Sequence, residues 1–202
     1  LNEELVQKYK SNILTCTRQF SYTSQNKNTI DIVLSLNGIP VVAMELKNQL
    51  TGQSVNNAKR QFMYDRDENE FCFRFNNRFL VYFCVDLYEV AMTTQLQGEK
   101  TYFLPFNQGS NGAGNIGDGG NPKCEDGYAT SYLWEYVLNP EMLLSIFQRY
   151  ISKQTTESIS LVNGKKVTKT KTILIFPRYH QLDVVEKLVA DTKRTKEGRN
   201  YL

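Results

Sequence analysis

Histidine is nearly missing from this chain: His180 is the single one in 202 residues. A zinc hydrolase or a Ser-His-Asp hydrolase therefore has almost no ligands or bases to draw on. Cysteine offers no substitute. Cys16, Cys72, Cys84 and Cys124 lie far apart without a CxxC pair. Cys72 and Cys84 sit in apolar, aromatic runs, which reads as buried free thiols in a reducing cytoplasm. The phosphate-cradling GxxxxGK[ST] loop does not occur. No apolar run approaches the roughly 18–20 residues of a membrane span, and no signal peptide is visible. Neither charge dominates, since 24 Lys and Arg face 21 Asp and Glu for a formal net charge of +3. That balance is compatible with nucleic acid without pointing to it. If the chain is an enzyme, carboxylates and lysines carry its chemistry.

With 41% hydrophobic residues, the chain can bury a proper core. Residues 3–14 have Leu5, Tyr9, Ile13 and Leu14 at helical spacing, and residues 17–22 form a short strand-like run. Residues 29–36 and 39–47 flank Asn37-Gly38, a strong hairpin signal. Residues 53–68 read as an amphipathic helix, 79–85 as a buried strand and 88–94 as another, so a mixed α/β core is expected. Seven of the twelve glycines fall between 107 and 127. That stretch predicts a long irregular surface loop, mobile in isolation, either a functional segment or a tolerated surface insertion. Asn139-Pro140-Glu141 opens a helix running to about residue 153. Residues 154–172 are polar and Lys/Thr-rich, either a linker or an exposed hairpin around Asn163-Gly164. A last helix follows Phe176-Pro177, with Leu182, Val185, Leu188 and Val189 on one face. The boundary is placed near residue 155, separating 1–155 from 156–202.

The hairpin carries the chemistry. Asp31 and Glu45 are carboxylates that can hold Mg²⁺, an ion that prefers oxygen ligands and keeps several waters. Lys47, two residues after Glu45, lies on the same strand face and can orient the attacking water or stabilise phosphate charge. Register decides whether the pair meets. A plain two-residue turn at Asn37-Gly38 pairs Asp31 with Met44 and points Glu45 away. A three-residue loop, Asn37 to Ile39, pairs Leu36 with Pro40 and Asp31 with Glu45. The second register places Ile30, Ile32, Leu34, Leu36, Val42, Met44 and Leu46 on one apolar face, with Asp31, Ser35, Glu45 and Lys47 opposite, and burial resists a one-residue slip. ExK triplets are also common on solvated hairpins, and that plainer reading stays open on the residues alone. Gln61, on the next helix with Ala58 and Tyr64, can bond the lysine, a metal-bound water or a phosphate, or make local bonds only.

Two patterns are set aside. Gly112-Ala113-Gly114-Asn115-Ile116-Gly117 fits GxGxxG, but Gly119-Gly120-Asn121-Pro122 forbids the helix a dinucleotide turn needs. The Lys165–Lys171 run reads first as a solvated strand face, and His180 as a helix-start residue.

Taken together the residues resemble the motor and nuclease (R) subunit of type I restriction enzymes. Ile30-Asp31, Asn37-Gly38-Ile39-Pro40 and Glu45-Leu46-Lys47-Asn48 look like its nuclease motif. Phe79-Leu80-Val81, Asp86, Met92-Thr93-Thr94, Phe103 to Asn107, Gly114-Asn115, Asn121-Pro122 and Gly127-Tyr128-Ala129 add to the likeness. Phe176 to Gln181 is similar to the adenine-sensing motif before a helicase domain. The resemblance implies a restriction-endonuclease-like PD-(D/E)XK fold, a mixed central sheet flanked by helices. It implies that Asp31 and Glu45 bind Mg²⁺, that Lys47 assists the water, that Gln61 belongs to the site and that Gln181 contacts nucleotide. In related RecB-like nucleases a tyrosine stands four residues after the glutamine; here Asp65 is there and Tyr64 precedes it, so a role for Tyr64 is not supported. Glu3 or Glu4 could supply an upstream glutamate. The implied activity is cutting of double-stranded DNA when an ATP-driven motor stalls, with modification (methyltransferase) and specificity subunits as partners and ATP bound only by the full-length protein. With Leu1 first and a segment like the family's pre-ATPase stretch at Gly198-Arg199-Asn200-Tyr201-Leu202, the chain is expected to be a piece cut short of its ATPase. The competing expectation is a catalytically silent nuclease-fold module that docks subunits or binds DNA.

Overall fold

A computed structural model describes residues 2–162 and 165–196. Strands β1 (Leu14–Ser21), β2 (Thr29–Leu36), β3 (Ile39–Leu46), β4 (Val81–Val85), β5 (Val90–Thr93) and β6 (Leu104–Pro105) form one sheet in chain order. Every neighbouring pair is antiparallel except β3–β4. A parallel join needs a crossover, and the chain between these strands carries α2 (Val55–Tyr64). The other helices are α1 (Glu3–Lys10), α3 (Pro140–Arg149) and α4 (Tyr179–Thr195), and β7 (Ser152–Val162) pairs with β8 (Lys165–Ile175) in a separate ribbon.

The central strand β4, Val-Tyr-Phe-Cys-Val, is buried on both faces. Its alternation divides the core. Tyr82 and Cys84 point to the side where Val55, Ala58 and Phe62 of α2 pack with Ile30, Val33 and Ala43. Val81, Phe83 and Val85 point to the other, where Val42, Met44, Leu133, Val137, Leu143, Ile146, Phe176 and Leu182 gather. Helix α2 offers its apolar residues at i, i+3 and i+7, and a Ser54–Asn57 capping box starts it. Burying Phe62 alone stabilises the sheet–helix contact by about 2–3 kcal/mol.

The hairpin reaches the expected side of Asp31 by another route. Leu36 pairs with Ile39 and Ser35 with Pro40, so the turn is the two-residue one at Asn37-Gly38, with both residues at positive φ. Beyond Pro40 the register shifts, and Leu34 pairs with Val42 and Ile32 with Met44. Val41 is the extra residue of a bulge. Pro40 has no N–H for the ladder, and bulges are where an interior strand tolerates proline. The shifted register brings Asp31 opposite Glu45. One member of the expected apolar face crosses over: Ile30 packs with Val33 on the α2 side, while Ile32 and Leu34 stay opposite.

Several boundaries differ from expectation. Helix α1 ends at Lys10 because Ile13 is drawn into the sheet: Asn37 Oδ1 accepts its N–H at 2.8 Å, and its carbonyl accepts the Asn37 N–H at 2.8 Å. Helix α2 stops at Tyr64 instead of 68, and α3 stops at Arg149, since Ser152 and Lys153 already belong to β7. Residues 154–172 are ribbon, not linker; the turn residues Asn163-Gly164 and the segment 197–202 lie outside the described residues. Position 155 falls within β7, and Phe176, Tyr179 and Leu182 join the core of the six-stranded sheet. On α4, Leu182 is buried but Val185 is exposed, so the apolar face is only partly covered. Residues 107–127 are irregular, as expected, and carry hydrogen bonds within the segment and to its surroundings: Gly109 N–H donates to the Gly120 carbonyl at 2.7 Å, Ser110 N–H to that of Asp118 at 2.9 Å, and the Asn121 amide to that of Tyr88 at 2.8 Å. No helix follows the GxGxxG pattern.

Candidate active site

Asp31 sits where the β2 ladder is least regular. Its neighbour on β1, Gln19, has φ 50, while Arg18 and Phe20 on either side pair normally with Ile32 and Ile30. The distortion turns the Gln19 amide toward the hairpin: its Nε2 donates to Asp31 Oδ1 at 3.1 Å, and its Oε1 accepts from Thr29 Oγ1 at 2.6 Å. The Leu46 N–H donates to Asp31 Oδ2 at 2.8 Å. The carboxylate is thereby fixed from two strands.

Glu45 is fully buried. Arg66 Nη2 donates to its Oε1 at 2.6 Å and to the Thr29 carbonyl at 2.7 Å, and the guanidinium lies 5.4 Å from the Tyr22 ring centroid. Glu45 Oε2 and Arg66 Nε are buried without a hydrogen-bond partner. Burial pushes the Glu45 carboxyl up to about 7; the Arg66 guanidinium opposes that rise and the adjacent Asp31 carboxylate adds to it. Two carboxylates facing each other repel unless a proton or a cation intervenes.

Lys47 continues the same face. Its N–H donates to the Val85 carbonyl at 2.8 Å, extending the β3–β4 pairing past the end of β3, and its Nζ donates to Gln61 Oε1 at 2.5 Å. Helix α2 thus delivers Gln61 to the lysine while Ala58 and Phe62 hold the helix on the sheet. A groove of about 290 Å³ opens there, lined by Lys47, Gln53, Asn57, Arg60, Gln61, Tyr64 and Asp65.

Four of the expected residues, Asp31, Glu45, Lys47 and Gln61, come together; Tyr64 only lines the rim of the groove. Glu3 and Glu4 do not join. Helix α1 has no buried residue, Glu4 pairs with Lys8 at 2.7 Å, and among the described residues no third Asp, Glu, His or Cys completes a metal-holding group with the pair. Gln181 is exposed at the start of α4, where its Oε1 accepts the Arg178 N–H at 3.0 Å as a helix cap. The donor set suits Mg²⁺, which takes one or two carboxylates and keeps its waters. Glu45 Oε2, buried and unpartnered beside Asp31, is the vacant oxygen such an ion needs.

Two contributors escaped the sequence, and a third, Asp86, was named only as part of the family likeness. Gln19 looked like any polar strand residue. Arg66 stands in a polar run after α2 with nothing to separate it from its neighbours. Asp86 did carry a signal, an aspartate closing a buried strand. Its Oδ1 accepts the Tyr88 and Glu89 N–H groups at 2.8 Å each, and its Oδ2 accepts the Val55 N–H at 2.8 Å and Gln49 Nε2 at 3.2 Å. It anchors the start of α2 and so the placement of Gln61.

Residues 6–101 match the family model described as type I restriction enzyme R protein N terminus. That span includes all the residues just brought together. No curated protein and no solved structure matches the chain. No helix among the described residues is long and apolar enough to cross a membrane.

Proposed function

We propose that this chain, whose residues 6–101 match the family model of the type I restriction enzyme R protein N terminus, is that subunit's Mg²⁺-dependent endonuclease domain, of the PD-(D/E)XK kind. It acts on double-stranded DNA within a complex that includes modification and specificity subunits and an ATP-driven motor. The observation that carries the reading is the buried, unpartnered Glu45 Oε2 beside Asp31, with Lys47 two residues along the same strand.

Asp31 and Glu45 would hold the ion through one oxygen each, leaving its remaining positions to water and phosphate. Bound there, Mg²⁺ supplies Lewis acidity and a bound water that loses its proton more easily. Lys47 presents a charge whose direction is set by Gln61, since one ammonium proton is committed to that amide. Its other protons are free to meet a non-bridging phosphate oxygen or the attacking water. Arg60 at the groove rim adds positive charge where a DNA backbone would lie. A second reading, a catalytically silent module that docks subunits or binds DNA, draws on the Glu45–Arg66 pair, which could be structural by itself.

The test uses the assembled restriction enzyme on circular plasmid. Asp31→Ala, Glu45→Ala and Lys47→Ala each abolish cleavage and leave ATP hydrolysis nearly intact, because this chain holds no nucleotide phosphate loop. Gln61→Ala lowers cleavage by about 10- to 100-fold, the usual effect of losing a partner that orients a reacting group. Wild-type cutting by the Asp31→Ala enzyme sinks the mechanism, and the silent-module reading takes its place.

A further inference from the structure

Arg66 has no role in the chemistry described so far, yet its ion pair with Glu45 is buried on both sides. Side-chain exposure is 3% for Arg66 and 0% for Glu45, with 2.6 Å between Nη2 and Oε1. The same nitrogen reaches the Thr29 carbonyl at 2.7 Å, and Nη1 donates to the Asp65 carbonyl at 3.2 Å. The guanidinium is therefore fixed from β2 and from the end of α2, and cannot follow Glu45 if that side chain rotates. Oxygen Oε1 is occupied by a charge-assisted bond, while Oε2 is left bare.

A carboxylate oxygen that accepts one hydrogen bond keeps a second lone pair. A cation at Glu45 Oε1 would lie against the Arg66 guanidinium charge, however, so Oε2 is the oxygen a cation reaches at least cost. We propose that Arg66 is a positioning residue that forces Glu45 to bind a divalent cation through Oε2 alone, so that the site favours small octahedral ions over Ca²⁺. The inference rests on the metal-binding reading of Asp31 and Glu45. Its chemistry is that of the ions themselves. Mg²⁺ and Mn²⁺ accept single carboxylate oxygens and fill the remaining positions with water. Ca²⁺ takes six to eight oxygens and gains from carboxylates that bind through both. With Oε1 bound to Arg66, that two-oxygen grip sets Ca²⁺ against the guanidinium charge or takes a buried guanidinium from its partner, and either is costly.

Two measurements on this chain test it, neither depending on cleavage. In the first, calorimetric titration gives Mg²⁺, Mn²⁺ and Ca²⁺ affinities for the wild type, Arg66→Gln and Arg66→Lys. The Ca²⁺-to-Mg²⁺ affinity ratio is expected to rise at least about 5-fold in Arg66→Gln, a coupling of ordinary size. It should rise less in Arg66→Lys, which keeps the charge but has one nitrogen for contacts that the guanidinium makes with two. In the second, which survives a variant that does not fold, the Arg66 Nη–H resonances of the wild type are followed while Mg²⁺ is added. They should keep their hydrogen-bonded shifts and slow solvent exchange. An unchanged ratio in folded variants, or loss of the Nη–H bond on adding Mg²⁺, overturns the inference and leaves the metal site standing. Mg²⁺ affinity indifferent to Asp31→Asn and Glu45→Gln instead overturns the metal reading, and the role of Arg66 with it.

Discussion

Glu45 holds its proton unusually tightly, and the consequence is measurable. Desolvation, with Asp31 alongside, outweighs Arg66 and lifts the carboxyl to about 7. In the unfolded chain the same group titrates in the usual carboxylate range, near 4.3. Between those values the folded protein binds a proton that the unfolded protein has released. Stability must then fall as pH rises through the window and level off above about 7, by on the order of 3–4 kcal/mol. In EDTA the melting temperature is expected to drop by about 5 °C between pH 5 and pH 8 on this account. The Glu45→Gln chain should lack that component, and Mg²⁺ at pH 8 should recover much of it by mass action, because the ion binds the ionised form. Matching pH profiles for wild type and Glu45→Gln would remove the basis for a strained carboxylate pair.

At the scale of elements, the hairpin shows what sequence could and could not disclose. Asn37-Gly38 announced the turn, and the apolar sorting of Ile32, Leu34, Val42 and Met44 demanded the register that puts Asp31 across from Glu45. The device was not legible. A three-residue loop and a two-residue turn followed by a bulge give the same register, and only Pro40 hinted at the second. Helix ends were overextended for a similar reason: periodicity continues through Ile13 and Leu14, but pairing of Ile13 with Asn37 overrides it. Lys47 was readable from its spacing after Glu45, and Gln61 through the family likeness, whereas Arg66 and Gln19 act through a turn and a distorted strand that no pattern marks. The ribbon of β7 and β8 was one of two options left open, and its energetics are asymmetric. Its 11-residue strands extend for about 35 Å. At the base, the Leu174 carbonyl accepts Thr94 Oγ1 at 2.8 Å and Phe176 enters the core, while the described side chains from Glu157 to Ser160 and from Lys166 to Thr170 are exposed. Replacing residues 158–169 by a two-residue turn should shift the melting temperature by no more than about 2 °C. Phe176→Ala should cost about 3–5 kcal/mol, as truncation of a buried aromatic does. A large loss on trimming the ribbon would show that its outer half is packed after all.

For the molecule as a whole, the four thiols report on how the two sides of the sheet open. Cys16 and Cys124 are exposed, while Cys72 and Cys84 are buried among the residues that α2 covers. Burial pushes the Cys72 thiol up to about 11 and raises Cys84 further beyond its ordinary range. Both are then protected twice, by access and by the scarcity of thiolate. A disulfide reagent such as DTNB at pH 8 should titrate two thiols within minutes in the native chain. The other two should react at the rate of unfolding and fully in denaturant. Four fast thiols would mean that the α2 side opens independently of the other, with the Asp31–Glu45 face loosening alongside it.

The kink at Gln19 reaches beyond the carboxylate it supports. Strand β1 is the outermost of the sheet and most of its side chains are exposed, so its free edge offers a row of unsatisfied amides to any other extended chain. A straight edge of eight residues is a template on which copies can stack into filaments. A residue at φ 50 in its middle interrupts that row, because a flat incoming strand cannot follow the bend. The glutamine that steadies Asp31 is thus also a guard against self-assembly, and a sequence change that straightened β1 would threaten solubility before it disturbed the carboxylate pair.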